Sequence, residues 1–279
     1  MKIRPMKKGD VSFAVGLATS ESWSNTPTDF ETLVEYRPTA AFVAEKNGER
    51  IGMISAVSYG SFGFIGNLIV KTEYRCQGMG TQLMLHAIAH LEQSGNERIL
   101  LDAVQEYQSL YENLGFTRFC ESLRFRGNIT CEERENTKLI QAGEVEHLMS
   151  LDRSTFGADR DHFLRNAIQL HHATCRVAVD GGEIIGYCLA TPIPNWLRIG
   201  PLIVRDDAET AEDLIVTLHE PGRTMAVIVG VLEQNAEAIN LYRRLGLQET
   251  APSIRMIRGK EGSRRDYTQE FAIGSPAKG

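Results

Sequence analysis

Apolar and polar positions alternate through AAFVAEKNGERIGMISAVSY, residues 40–59, on both sides of Asn47-Gly48. Period two around an Asn-Gly pair predicts two strands joined by a tight hairpin turn. FGFIGNLIV (62–70) is more uniformly apolar and predicts a third, more buried strand. The period then changes. Leu83, Met84, Ala87, Ile88 and Leu91 fall on one face of a helix. ERILLDAV (97–104) reads as another buried strand, and a short helix follows with Leu110 and Tyr111, stopped by Gly115. FTRFCESLRFRG (116–127) returns as a final strand. A hairpin leading into strand–helix–strand–helix–strand predicts an α/β or α+β layered domain, a mixed and mostly antiparallel sheet flanked by helices.

Much of this pattern occurs twice. FVAEKNGERIG (42–52) matches RVAVDGGEIIG (176–186) without a gap, and at the same offset IGNLIV (65–70) meets IGPLIV (199–204). Farther on, LYENLGF (110–116) meets LYRRLGL (241–247). Blocks recurring in the same order predict two copies of one domain. The first copy is expected over residues 1–127 and the second over 137–259. A polar linker at 128–136 falls within NITCEERENT, and a polar extension occupies 260–279. The extension reads as a frayed tail, part of which docks through Tyr267, Phe271 and Ile273.

The chain has 279 residues, a length that suits two domains. Its net charge of −6 argues against a nucleic-acid-binding surface without excluding a local basic groove. Five cysteines, Cys76, Cys120, Cys131, Cys175 and Cys188, form no CxxC pair. Neither a disulfide framework nor a zinc site is expected, and His86, His171 and His172 have no ligand partners at metal spacing. No signal peptide and no membrane-length apolar run is apparent, so a soluble cytoplasmic protein with no membrane partner is expected.

One stretch occurs only once. YRCQGMGTQLM (74–84) places Gly78 and Gly80 between the third strand and the amphipathic helix. The first amides of a helix have no internal partner, and the helix dipole favours an anion there. Glycines let a phosphate approach the backbone closely. The same glycines also suit an ordinary tight turn. At the matching place the second copy reads RDDAETAEDL (205–214), without glycine and with Asp206, Asp207, Glu209, Glu212 and Asp213. A carboxylate beside a pyrophosphate costs roughly 1–4 kcal/mol per close pair at effective dielectric constants of 20–80. An anion site is therefore expected in the first copy alone.

The spacing R-x-x-G-x-G after a strand ending in Leu-Ile-Val, with LYENLGF beyond it, resembles the GCN5-related N-acetyltransferases (GNAT). The resemblance covers residues 1–127 well. It implies tandem GNAT-like domains that use acetyl-CoA as cosubstrate and no metal. The pantetheine arm would pair with Leu68, Ile69 and Val70. Its pyrophosphate would sit on Arg75, Cys76, Gln77, Gly78, Met79, Gly80 and Thr81. Cys76 departs mildly from the glycine common in the family. In the later segment Val104 and Tyr107 replace the family's Asn and Ala. Tyr111 matches the tyrosine that protonates the leaving thiolate, although a tyrosine packing helix against sheet would look the same. LDAVQEYQSLYENLGF and SWSNTPTDF (22–30) look closer to a two-domain subgroup with a loop-bearing first copy and a degenerate second, as does LDRSTFGADRDHFL (151–164).

An amine acceptor must lose its proton before or during attack. Asp102, at the end of its strand, is the first candidate base and Glu106 the next; a buried Asp that binds backbone amides is the structural alternative. Trp23, Asn25 and Asp29 lie in the region that covers the acceptor in this family. Asp159 and Arg160 of the second copy either face the acceptor or form a surface ion pair. The resemblance implies direct N-acetylation of a small-molecule primary amine. The alternatives are a protein or peptide N-acetyltransferase, a non-catalytic acyl-CoA-binding sensor, and a purely structural tandem. A monomer acting as a pseudo-dimer, or a homodimer, is expected.

Overall fold

The computed structural model describes residues 1–205, 207–259 and 266–279. Asp206, one of the acids noted above, and residues 260–265 of the expected extension lie outside them.

The chain forms two compact units. The first opens with strand β1 (Lys2–Pro5) and helices α1 (Val11–Ser20) and α2 (Pro27–Glu35). The predicted hairpin follows as β2 (Ala41–Lys46) and β3 (Glu49–Ser58), then β4 (Gly63–Val70). Asn47 and Gly48 both have positive φ, as a primed hairpin turn requires. Helix α3 (Met79–Gln93), strand β5 (Arg98–Ala103) and short helix α4 (Gln108–Glu112) complete the pattern. All five apolar residues predicted for the helix face are buried in α3, which packs on β3 and β4. The hairpin departs from simple alternation: Ile51–Ser58 of β3 is buried at every position, because both faces of the strand are covered.

Strand β6 (Thr117–Thr130) leads into the second unit, where the order repeats. It continues with β7 (Thr137–Leu139), α5 (Val145–Phe156), α6 (Asp161–His171), β8 (Cys175–Asp180), β9 (Glu183–Ile193) and β10 (Trp196–Val204). After these come α7 (Ala208–Val216), β11 (Thr224–Leu232), α8 (Ala236–Arg244), β12 (Gln248–Gly259) and β13 (Glu270–Ala272). In the first unit the strand order is β1-β2-β3-β4-β5, followed by the end of β12. In the second it runs from the start of β12 through β6-β11-β10-β9-β8-β7, with β13 on β10. Among the described pairs with a recorded direction, each unit has one parallel pair, β4 with β5 and β10 with β11, and the others are antiparallel. The expected mixed, mostly antiparallel sheet flanked by helices is thus present in both units.

The boundaries differ from those the sequence suggested. The first compact unit comprises Met1–Phe119, the described part of Arg255–Gly262, and Ala277–Gly279. Residues 120–127 cluster with the second unit, and Asn128–Thr130 of the expected linker belong to β6. The extension is not frayed where it is described: Phe271 and Ile273 are buried, and β13 pairs with β10. A strand's apolar pattern names the face it buries and not the sheet it joins, so this sharing of strands leaves no local mark.

Candidate active site

Strand β4 pairs with β5 only over Gly63–Ile65 against Ile99–Leu101. Beyond Ile65 the two strands part. The cause lies on the other side of β4, where its register with β3 shifts between Met53–Ile69 and Ser55–Gly66. Asn67 sits in that bulge with φ +51°, buried, its amide donating to Ser55 Oγ at 3.1 Å. A bulge adds a residue on one strand and bends it away from its neighbour. Leu68, Ile69 and Val70 therefore lie on a stretch of β4 with no β5 partner, at an edge able to accept an extended polar chain.

The loop after β4 ends on Gly78, the N-cap of α3, with φ +75°. No side chain caps this helix, and the first closing bond is Gln82 N–H to Gly78 O at 3.1 Å. The amides of Met79, Gly80 and Thr81 precede that bond and point out of the helix end. A Cβ at Gly78 or Gly80 would meet nothing within 4 Å, so the approach is open. Cys76 also has positive φ, +58°, and is exposed with Gln77 and Gly78. Lys46 Nζ stands 3.3 Å from Gln77 Oε1 and brings a positive charge to the rim. Arg75 is more occupied than expected. Its Nε donates to Val70 O at 2.9 Å and its Nη2 pairs with Glu21, so it ties the loop to the strand end. Backbone amides, a helix dipole and a basic rim suit a pyrophosphate.

Tyr111 projects from α4 and packs edge-on to Phe116, with ring centroids 6.3 Å apart. Its hydroxyl has no hydrogen bond among the described residues. Burial, with a smaller contribution from Tyr107, pushes its pKa up to about 12. It carries its proton throughout the neutral range.

Asp102 is not placed as a free base. Its side chain is fully buried and bound by both Nε and Nη2 of Arg255, which is itself buried and stacks on Phe64 at 4.9 Å. Two guanidinium donors in a dry site fix the carboxylate as one half of an ion pair. Glu106 is exposed.

Trp23, Asn25 and Asp29 are all half-buried in the first unit. Trp23 N–H donates to Ala18 O at 3.0 Å. Asp29 closes a capping box on α2: its Oδ2 accepts from Thr26 N–H at 2.9 Å. Asp159 and Arg160 lie in the second unit. Asp159 Oδ1 accepts from Asp161 N–H at 2.8 Å and so holds a local turn. Arg160 must be corrected. It is buried, not on a surface facing an acceptor; it holds Asp152 at 2.8 Å and stacks on Phe156 at 3.9 Å. Its guanidinium belongs to the core of the second unit. The bulge residue Asn67 and the long-range partner Arg255 were not picked out by sequence. Asn67 carried a faint signal, as a polar residue within an apolar strand; Arg255 carried none.

The second unit shows what became of the same site there. Helix α7 is capped by Asp207, whose Oδ1 accepts from Thr210 N–H at 2.7 Å. Strand β10 parts from β11 beyond Ile199, but Leu202 and Ile203 pair with Ala272 and Glu270 of β13. Leu202 and Ile203 are the counterparts of Leu68 and Ile69. A Cβ on Gly200 would lie 2.1 Å from Ile273 O, so only glycine admits this segment. Tyr242, the counterpart of Tyr111, is fully buried and donates to Phe271 O at 2.5 Å. Asn235 caps α8 and donates to Thr268 O and Glu270 O.

A splayed parallel pair with an open glycine-led helix N-terminus, on a repeated fold, defines an acyl-transferase class of domain. Family models agree: residues 14–116 match the acetyltransferase (GNAT) family and residues 148–272 match an acetyltransferase (GNAT) domain. The chain belongs to the GNAT superfamily and carries two such domains. It is 22% identical over 247 residues to the holothin acyltransferase of Pseudoalteromonas sp. (strain SANK 73390), covering 88% of this chain and 83% of that one. It is 29% identical to the uncharacterized N-acetyltransferase YitH of Bacillus subtilis (strain 168), covering 62% and 61%. In fold it is similar to a putative acetyltransferase from Pyrococcus horikoshii (TM-score 0.82, 21% identity, 100% and 95% covered). It is also similar to a tandem GNAT protein from the clavulanic acid biosynthesis pathway (TM-score 0.64, 14% identity, 94% and 99% covered). No helix among the described residues is long and apolar enough to cross a membrane.

Proposed function

We propose that the first unit is an acetyl-CoA-dependent N-acetyltransferase that acts on a primary amine of a small molecule, and that the second unit binds no CoA. One observation carries the reading. An uncapped helix N-terminus led by left-handed Gly78 stands at the foot of a β4 edge without a β5 partner, whereas in the second unit Asp207 caps the helix and β13 pairs with β10.

Acetyl-CoA brings an acyl group already activated as a thioester. The chain's own residues hold and orient. Met79, Gly80 and Thr81 amides, with Lys46 nearby, would bind the pyrophosphate. Leu68–Val70 would pair with the amides of the arm. Tyr111 keeps a proton on Oη that no group among the described residues accepts. At a pKa of about 12 it is a weaker acid than an alkyl thiol. Complete transfer to a thiolate near 8.5 would be uphill by roughly 5 kcal/mol. Its role is hydrogen-bond donation to a leaving sulfur. Asp102 is left out of the proton path.

The test is calorimetric titration with acetyl-CoA, followed by thiol release with a panel of primary amines. One site per chain, lost in Gly78→Glu, together with amine-dependent thiol release, supports the reading. No binding sinks it. The engagement of Asp102 by Arg255 favours a second reading, a non-catalytic acyl-CoA-binding module. That reading predicts one CoA site and no thiol release with any amine.

A further inference from the structure

The last residues of the sequence do not hang free. Ala277 and Gly279 are buried, and Lys278 keeps only 17% of its side chain exposed. Three contacts seat them in the first unit. Tyr59 Oη donates to Lys278 O at 2.7 Å. A Cβ on Gly66 would lie 2.5 Å from Ala277 Cα and 2.6 Å from Ala277 O, so this segment fits only because position 66 is glycine. Lys278 Nζ stands 3.8 Å from Asp29 Oδ1, with the Asp29 side chain 11% exposed.

The location gives these contacts their meaning. Gly66 immediately follows the last β4 residue paired to β5, at the mouth of the splay. Along β4 it lies four residues before Val70, roughly 13 Å at the usual rise of a strand. An arm anchored at the loop beyond Val70 and laid along β4 brings its far end into this neighbourhood. Asp29 divides its two oxygens: Oδ2 accepts from Thr26 N–H to cap α2, while Oδ1 faces the ammonium. A primary ammonium on a four-carbon chain is therefore already recognised there by a carboxylate and a largely dry wall.

We propose that Asp29 is the recognition group of an ammonium subsite in the first unit. The Lys278 side chain fills it in the free protein, and an amine ligand enters by displacing that side chain. This rests on the amine-acceptor reading above and names the chemistry that reading lacks: a flexible alkyl ammonium. At 3.8 Å the two charges stand beyond hydrogen-bond reach, so the pair is loosely made and displacement is cheap. The tether still matters. A short covalent link holds Lys278 at an effective concentration in the millimolar range, which a free amine must exceed.

The probe is n-butylammonium chloride, the lysine side chain as a free ion. It is titrated into the isotope-labelled full chain while the amide resonances of Thr26 and Asp29 are followed, with no CoA present. Lys278→Ala empties the subsite and leaves the Tyr59 and Gly66 contacts in place. It is expected to bind the probe at least tenfold more tightly than the unaltered chain. Asp29→Asn keeps an oxygen for the α2 cap; added to Lys278→Ala, it is expected to abolish that gain. Equal affinity with and without Lys278, no response in Lys278→Ala, or a gain that survives Asp29→Asn would each overturn the proposal. Thermal melting of every variant separates loss of the subsite from loss of the fold. Failure here leaves the CoA titration untouched, and failure of CoA binding leaves this titration untouched.

Discussion

Helix α3 begins on a left-handed glycine with no side chain on its amides, while α7, at the matching place, begins on Asp207, which accepts from Thr210 N–H at 2.7 Å. The strands before them differ in the same sense. Beyond Ile65, β4 has no β5 partner; beyond Ile199, β10 has β13. The tyrosines complete the series, Tyr111 without a hydrogen bond among the described residues and Tyr242 donating to Phe271 O. Each feature that would receive a ligand in one unit is satisfied by the chain itself in the other. The comparison teaches that motif retention alone is a poor guide. The second copy keeps the fuller sequence motif, with Asn235, Ala238, Leu241, Tyr242 and Gly246, and uses it to clamp β13.

The comparison can be broken most severely at two buried ion pairs, one taken from each unit. Asp102–Arg255 and Asp152–Arg160 both hold a carboxylate against a buried guanidinium. Removing one partner strands a buried charge and costs about 3–5 kcal/mol. Asp102→Ala and Asp152→Ala are expected to lower chemical-denaturation stability by that much. Pairing Asp102→Ala with Arg255→Met should recover most of the loss. An Asp102→Ala protein with unchanged stability and no turnover would return Asp102 to the proton path.

The loop comes next. Gly78→Glu puts a carboxylate at the helix N-terminus and a side chain at φ +75°. Acetyl-CoA affinity should fall at least about 100-fold, roughly 2.7 kcal/mol. Asp207→Gly should create no second site, because β13 still occupies the β10 edge. Stoichiometry by calorimetry checks both. A second site in Asp207→Gly would show that the cap, not β13, silences the second unit.

The tyrosines separate by the kind of effect. Tyr111→Phe should lower kcat about 10- to 100-fold, with stability changed by less than about 0.5 kcal/mol. Tyr242→Phe should cost about 1–2 kcal/mol of stability and leave CoA binding unchanged. Burial raises both phenols. The unfolded chain therefore ionises first, near pH 10. The stability tied to the protonated forms is complete below pH 10 and is lost as pH climbs toward the folded values, about 12 for Tyr111. Kinetics should accordingly show no Tyr111 ionisation between pH 7 and 10; a fall in rate within that window would contradict the protonated phenol.

These features were unequally legible in the sequence. Hairpin, helix face and loop are local, and Asn47-Gly48, the Leu83–Leu91 stripe and Gly78 each specify their backbone within a few residues. The loss of the loop in the second copy was equally plain, because Glu212 and Leu214 stand where Gly78 and Gly80 would be and acids crowd the segment around them. Arg255 finds Asp102 from a strand assigned by sequence to the other domain, and no local pattern encodes that choice. Arg160 looked like a surface charge because its burial depends on Asp152 and Tyr187 arriving with it. The tail read as polar and loose, since three residues of β13 are too few to show a period.

The smallest effect sharpens the comparison at a single dihedral. Cys76 holds φ +58° in a region that costs a side-chain-bearing residue roughly 1–2 kcal/mol, and glycine much less. Glycine also enlarges the unfolded ensemble, which offsets part of the gain. Cys76→Gly should therefore be neutral or stabilise by up to about 1 kcal/mol, read as a shift in melting temperature. If the cradle works through backbone amides, CoA affinity should be unchanged within about twofold, 0.4 kcal/mol. The exposed thiol offers a matching readout in the unaltered chain. Bound acetyl-CoA should slow its alkylation, while the buried Cys188 stays unreactive with or without ligand. A tenfold loss of affinity in Cys76→Gly would mean that the side chain, and not the backbone it bends, makes the contact, and the contrast between the two helix ends would need restating in those terms.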